Sequence, residues 1–555
     1  MKLDLGATLH TDNNALFKVW APLQPTLRLK HNKNIYMMEK DEKGYFHYCL
    51  DNVYENDYYS YIFQNNIERA DPVSRYLPDG PFGMSCILNP SSFKWNDEKW
   101  KKPKKNDLIF YECHVGTFTK KGTFTETISK LNYLKELGIT CLEVMPITEF
   151  SGKWGWGYDS VSLFAPHHHY GTPSELKNLI NCCHEVGIAF CLDIVYNHFG
   201  PEGFFLNEFG PYLTNRYQTP WGEAVNFDGP YSDEVKHLII QNALYWVHEF
   251  HVDALRLDAL HGIYDNSAHR LLDQLRESVG DDAYLIGESD LNDNRLLLQH
   301  KLDALWNDDF HHALHVTLTS EQQGYYQDFQ GIKDLKTILQ EGVVYGDKYS
   351  SFRRRHHGNS FKDIPHNNLI AFSQNHDQIG NRALGDRLKV PLEVQKVVAF
   401  FVILGPFLPL IFMGEEYGEK NPFQYFVDCQ NKDLFQQIYE GRKKEFQMQG
   451  TYAPDIQAFL KSKLSWEINH DLFTIYQTLI ALRKQYLLHE FHLDPIQSEY
   501  SLFWHYGNSV HLFCCFQEKP CSITAKAQNI LFQTGSISTQ ENTISFKGPS
   551  AILYT

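Results

Sequence analysis

Along residues 108 to 416, short apolar runs ending in polar clusters alternate with stretches whose apolar residues recur at helical spacing. The runs are LIFYECHVG (108–116), ITCLEVMPI (139–147), GIAFCLDIVYNH (187–198), HVDALRLDALH (251–261), DAYLIGES (282–289), LDALWNDDF (302–310), NNLIAFSQNHDQ (367–378) and FLPLIFMGEE (407–416). Continuous apolar runs of this length read as strands buried on both faces. Ile128, Leu131, Leu134 and Leu137 mark the buried stripe of the first intervening helix. Eight strands with helix-length segments between most of them predict an α/β fold, the (β/α)8 TIM barrel.

The flanks have a different rhythm. ALFKVWAP and YFHYCLDN, near the start, alternate apolar with polar, which predicts a small antiparallel β-sandwich. The charged, proline-punctuated run EKWKKPKKNDL (98–108) marks a boundary. SLFWHYG, VHLFCCF and AILYT predict a small β-domain at the other end. The expected segments are 1–100, 101–485 and 486–555. Two connections, 148–175 and 199–232, are longer than a barrel needs and carry Trp154, Trp156, Tyr158, Tyr212 and Trp221. A sugar-stacking wall and ordinary loop packing both account for such rings.

Catalytic groups of parallel α/β barrels gather at the carboxyl ends of the strands. Here those ends carry Asp193, Asn197 and His198, then Arg256 and Asp258, then Glu288, then Asn375, His376 and Asp377. Arg256 and Asp258 are two residues apart in an extended chain, so their side chains leave the same face. A guanidinium beside a carboxylate keeps it ionised, as a nucleophile requires. Glu288 follows the apolar run AYLIG, where desolvation favours the protonated acid. One acid to protonate the leaving oxygen and one carboxylate to attack is the requirement for splitting an acetal between sugars. Asp258 is therefore the candidate nucleophile, Glu288 the general acid, and Asp377 the group that holds sugar hydroxyls. A single carboxylate at a strand end is as well explained by a local hydrogen bond; three at matching barrel positions are the specific signal. The run HHH at 167–169 and the pair His311 and His315 come with neither Cys nor a carboxylate at metal-site spacing, so no metal is expected.

Bulk properties narrow the substrate. A net charge of −16 over 555 residues argues against nucleic acid or an anionic membrane as partner and suits a neutral ligand. No run of 18 or more apolar residues occurs, and MKLDLGATLH has no apolar core behind a basic segment, so a soluble cytoplasmic chain is expected. The 11 cysteines lack C-x-x-C spacing and are expected to be reduced.

Four of these segments, DIVYNH (193–198), ALRLDALH (254–261), LIGES (285–289) and FSQNHD (372–377), resemble the four sequence regions of the α-amylase family of retaining glycoside hydrolases. FKVWAP (17–22) resembles the opening of the β-sandwich that precedes the barrel in its branching and debranching members, which implies a carbohydrate-binding-module-like domain. WGYDSVSLFAP (156–166), FGPYL (209–213), ESDLND (288–293), WNDDFHHALH (306–315), NHDQIGNRALGDRL (375–388) and MGEEYG (413–418) resemble the members that act on maltooligosyltrehalose. Ala254 stands where many relatives have Gly, and Gly262 where Ala is expected.

The resemblance implies that Asp258 is nucleophile, Glu288 proton donor and Asp377 transition-state stabiliser. It implies that Tyr158 stacks on the sugar before the scissile bond and that His198, Arg256 and His376 bind its hydroxyls and the nucleophile. Leu257, Ala259, Leu260, His261, Asp308, Asp309, Phe310, His311, His312, Gln378, Ile379, Gly380 and Asn381 would line the cleft. The implied reaction is hydrolysis of the α-1,4 bond next to the terminal trehalose unit, with no cofactor and with functional coupling to a maltooligosyltrehalose synthase. The alternatives are a glucan branching transferase and a non-catalytic glucan-binding protein.

Overall fold

Each of the eight apolar runs forms a strand, and the eight lie side by side, in chain order, as a closed parallel barrel. They are β1 (Phe110–Cys113), β2 (Cys141–Val144), β3 (Ala189–Ile194), β4 (Ala254–Leu257), β5 (Tyr284–Gly287), β6 (Ala304–Trp306), β7 (Leu369–Phe372) and β8 (Leu408–Phe412). β8 returns to β1, with Phe110 opposite Leu410. The computed structural model describes residues 4–10, 12–445, 453–486, 490–493, 500–517, 519–524, 527–540 and 543–555. The first three residues and parts of the 486–555 segment lie outside them.

Side chains alternate along each strand, and Phe110, Cys141, Cys191, Ala254, Ile286 and Trp306 belong to one apolar cluster with Ile370, Phe372, Leu408 and Leu410. Two residues beyond each of the first six stand Glu112, Glu143, Asp193, Arg256, Glu288 and Asp308. The same periodicity that packs the barrel interior thus carries its charged groups to the carboxyl ends.

Local chemistry sets the connections. The helix Pro173–Val186 opens on a reciprocal Thr172–Glu175 capping box with Pro at its first turn and stops at Gly187, whose φ of 87° is left-handed. That stop delivers the chain into β3. The 128–137 stripe forms two short helices, Phe124–Ile128 and Leu131–Leu137, where the spacing predicts one. The break falls at Ser129, whose Oγ donates to the Glu126 carbonyl 2.6 Å away and competes with the helical ladder. The long connections hold hairpins, Thr148–Phe150 with Ser160–Pro166 and Leu213–Thr219 with Gly222–Val225.

Two antiparallel sheets precede the barrel, built on Asn14–Trp20 and on Leu27–His31. Ala15, Phe17, Val19, Leu27 and Leu29 point into their shared core. Trp20 meets Tyr212 edge-on at 5.2 Å, and Arg69 pairs with Glu208 at 2.9 Å, which ties the sheets to the chain beyond β3. A five-stranded and a three-stranded antiparallel sheet follow the barrel, between Phe491 and Tyr554. No helix among the described residues is long and apolar enough to cross a membrane.

Candidate active site

Arg256, fully buried on β4, is the hub. Its Nη1 donates to both oxygens of Asp193 at 2.9 Å and to Asp258 Oδ1 at 2.8 Å, and its Nη2 lies 3.2 Å from Glu288 Oε2. The guanidinium also lies 4.2 Å from the Trp306 ring centre. Burial opposes its charge, but Asp193, Tyr158, Glu288 and Asp258 around it raise its pKa further. Burial pushes the Asp193 carboxyl up, to about 7, against the pull of Arg256.

The two candidate reacting carboxylates are both gripped. Asp258 Oδ2 accepts from Asn197 Nδ2 at 2.8 Å, and the same amide holds the Asp258 carbonyl. Glu288 Oε2 accepts the Ala259 amide at 2.7 Å. Glu288 therefore does not sit in the purely apolar setting that AYLIG suggests, since a backbone donor and a guanidinium face it. Ala259 reaches it by adopting a left-handed backbone, φ 40°. That is a strained conformation for a residue with a Cβ.

Asp377 opens the short helix His376–Gly380 and is the most exposed of the three, at 36%. Asn381 Nδ2 donates to its Oδ1 at 3.1 Å. Its neighbour His376 is buried, with Nδ1 2.5 Å from Glu112 Oε1 and Nε2 2.8 Å from the Tyr158 hydroxyl. Tyr158 stacks on His376 at 5.0 Å and donates to Asp193 Oδ2 at 2.7 Å. Asp308 accepts from Gln378 Nε2, and burial with the nearby Glu288 and Asp377 raises its carboxyl to about 8. His198 hydrogen-bonds Asn197 through Nδ1, is lowered to about 4 by burial, and stacks under the half-exposed Trp221 at 4.7 Å.

Other sequence candidates lie elsewhere. Phe310 is enclosed between Phe401 and Phe407. Asp309 anchors the backbone amides of Val344 and Tyr345 and the amide of Asn292. His311 is committed to the Ser373 carbonyl and the Tyr326 hydroxyl, and His312 packs on Tyr325 at 4.5 Å. Leu257, Leu260 and Ile379 are buried, whereas His261 is partly exposed near Trp221. Gly380 is buried against Trp156. Of the loop aromatics, Tyr212 is buried against Trp20, Trp156 stacks on Phe423 and Trp154 on Phe459, which leaves Tyr158 and Trp221 beside the strand ends.

A Cβ on Gly380 would come within 2.1 Å of the Trp156 ring. Gly380→Ala is expected to cost about 1–3 kcal/mol through overpacking and to displace the 376–381 segment. A melting curve and kcat/KM both check it, and wild-type values in both would refute it.

Glu112 and Glu143 escaped notice as site residues. They face each other across β1 and β2, fully buried in apolar strands, and burial raises Glu143 far above the carboxylate range. The available signal was one charged residue inside each of LIFYECHVG and ITCLEVMPI. Among the described residues, Glu149, His167 and His168 form the group with metal-ligand atoms within 4.8 Å of one another. A carboxylate at a spacing no metal motif uses thus meets the histidine run. Both Nδ1 atoms hydrogen-bond its Oε1, at 2.9 and 3.0 Å, while the buried His167 Nε2 has no hydrogen-bond partner among the described residues.

A closed parallel barrel with Arg256, Asp258, Glu288 and Asp377 at its strand ends has the build of a glycoside hydrolase of the α-amylase class. The family description Alpha amylase, catalytic domain, matches residues 87–219. The malto-oligosyltrehalose trehalohydrolase of Saccharolobus solfataricus is 48% identical over 86% of this chain and 86% of its own. That of Arthrobacter ramosus is 39% identical over 85% and 87%. Among solved structures, a putative alpha amylase from Salmonella typhimurium superposes with a TM-score of 0.93 at 33% identity, covering all of both chains. The chain belongs to the malto-oligosyltrehalose trehalohydrolase family.

Proposed function

We propose that this chain hydrolyses the α-1,4-glucosidic bond next to the terminal trehalose unit of maltooligosyltrehalose, releasing trehalose and a maltooligosaccharide. Asp258 attacks the anomeric carbon while Glu288 gives its proton to the bridging oxygen, and trehalose leaves as the alcohol. Glu288, now a carboxylate, takes a proton from water, whose oxygen displaces Asp258 and frees the maltooligosaccharide with its α configuration retained. Asp377 and His376 hold sugar hydroxyls as the ring flattens. The observation that carries the reading is Arg256, one guanidinium in contact with both Asp258 and Glu288. It favours the short carboxyl separation of a retaining enzyme over the wider gap that holds a water. The proposal divides the chain at 1–100, 101–485 and 486–555, and places it after an enzyme that converts a reducing-end α-1,4 linkage into trehalose.

Separate digests of maltooligosyltrehalose, maltooligosaccharide and amylose, read by chromatography and anomeric proton NMR, test this. Free trehalose from the first, with a new α-anomeric end and little change in the others, is the expected result. New α-1,6 branches in amylose without trehalose would move the activity to glucan branching. Binding without turnover would make it a glucan-binding protein.

A further inference from the structure

We propose that Glu112, on β1 beneath the site, is a positioning residue that holds His376 as an imidazolium and so fixes how its Nε2–H faces Tyr158, Asp377 and the bound sugar. This rests on the reading above, in which Asp377 and His376 hold the sugar.

The proton count carries the argument. Tyr158 has one hydroxyl proton, which it gives to Asp193 Oδ2 at 2.7 Å, so toward His376 Nε2, 2.8 Å away, it accepts. On the other side of the ring, Nδ1 faces Glu112 Oε1 at 2.5 Å. Two ring nitrogens that both donate define the charged imidazolium. Glu112 also uses its second oxygen, accepting the His376 backbone amide at 3.2 Å. One carboxylate therefore fixes both the backbone and the ring of the residue before Asp377.

The groups facing His376 support this. Glu112 comes from β1, Glu143 from β2, Asp193 from β3 and Arg256 from β4, with Tyr158, His114 and its own neighbour Asp377 completing the set. Burial raises the Glu143 carboxyl well above its ordinary range, and burial lowers His114 to about 3. Burial and Arg256 oppose the charge on His376, while Asp377 and Glu112 favour it, and the balance lies at about 9. Trp156 and Trp306, with ring centres 5.4 and 5.9 Å away, close the sides of the ring. Of the two carboxylates, Glu112 is the one that hydrogen-bonds the ring directly, because Asp377 lies 3.5 Å from Nε2.

The test replaces Glu112 in the full chain by Gln and by Asp, with histidine nitrogens followed by NMR and His376 assigned from a His376→Gln sample. In wild type His376 is expected to titrate near 9, and in Glu112→Gln at or below its ordinary 6.5. The kcat for trehalose release should fall on the order of 100-fold, the scale of a misplaced catalytic neighbour, with KM changing far less. A raised folded-state pKa gives stability that is full below 6.5 and lost as pH rises through about 9. The melting-temperature deficit of Glu112→Gln should therefore be largest below pH 6.5 and shrink across that window. Glu112→Asp keeps the charge and should keep the high titration, and it carries the test if the Gln variant does not fold. Wild-type kcat in Glu112→Gln, an unmoved His376 titration, or an Asp variant that titrates like the Gln variant would each overturn the proposal. A wild-type chain that releases no trehalose would instead sink the functional reading beneath it.

Discussion

Asp258→Ala is expected to leave a folded chain that still binds glucan, with kcat lowered on the order of 10⁴-fold or more, the scale on which loss of a covalent nucleophile is felt. At about 1.4 kcal/mol per decade this is ~5.5 kcal/mol or more of transition-state stabilisation. The fold should survive because Asp258 sits at the strand end and is not fully enclosed, its side chain being 10% exposed. Alanine is the cleaner replacement. An asparagine amide would turn a donor toward either Asn197 Nδ2 or Arg256 Nη1, both of which now donate to the carboxylate. Azide, a small external nucleophile, should restore part of the turnover and yield a glycosyl azide of inverted configuration. A variant that keeps more than a few per cent of wild-type turnover without azide would remove Asp258 from the nucleophile's role.

Arg256→Met is expected to be the most damaging single change to stability in the site, by ~3–5 kcal/mol, since it removes one partner of a buried charge cluster. Methionine keeps much of the volume, but Asp193, Asp258 and Glu288 would then face one another without the cation between them. The pH dependence has a definite sign. Asp193 is already raised from 3.8 to about 7 with Arg256 present, and losing the arginine raises it further. A carboxyl raised in the folded state destabilises progressively as pH climbs from its unfolded value through its folded one. The deficit should be modest at pH 5 and larger at pH 8, as read from melting temperatures at both. Equal deficits would mean that the loss comes from packing against Trp306 and not from charge.

The barrel was legible because a parallel strand covered on both faces has to be an uninterrupted apolar run, and eight such runs stand in the chain. The three carboxylates were legible for a related reason, since a strand that turns polar at its carboxyl end exposes that end. What stayed hidden depends on contacts across long separations. Glu112 meets His376 over 264 residues, and local sequence describes neither the distance nor the direction. Loop aromatics carry the same ambiguity: Tyr212 and Tyr158 belong to similar Gly-rich stretches, yet one closes on Trp20 and the other on His376. The environment of Glu288 was misjudged because the apolar residues before it say nothing of Arg256 on the neighbouring strand.

The seam between β1 and β8 bears on how the chain is made. Tyr111 and Glu416, bonded across it, are 305 residues apart, so at typical rates of synthesis roughly 15–60 s separate the emergence of the two. For most of that interval Glu112 has no His376 to hold, since the two are 264 residues apart, and the barrel has an open edge until β8 is made. Closure of the ring on the ribosome therefore waits for β8, and a nascent chain stalled before Leu408 carries the three carboxylates in an unclosed barrel.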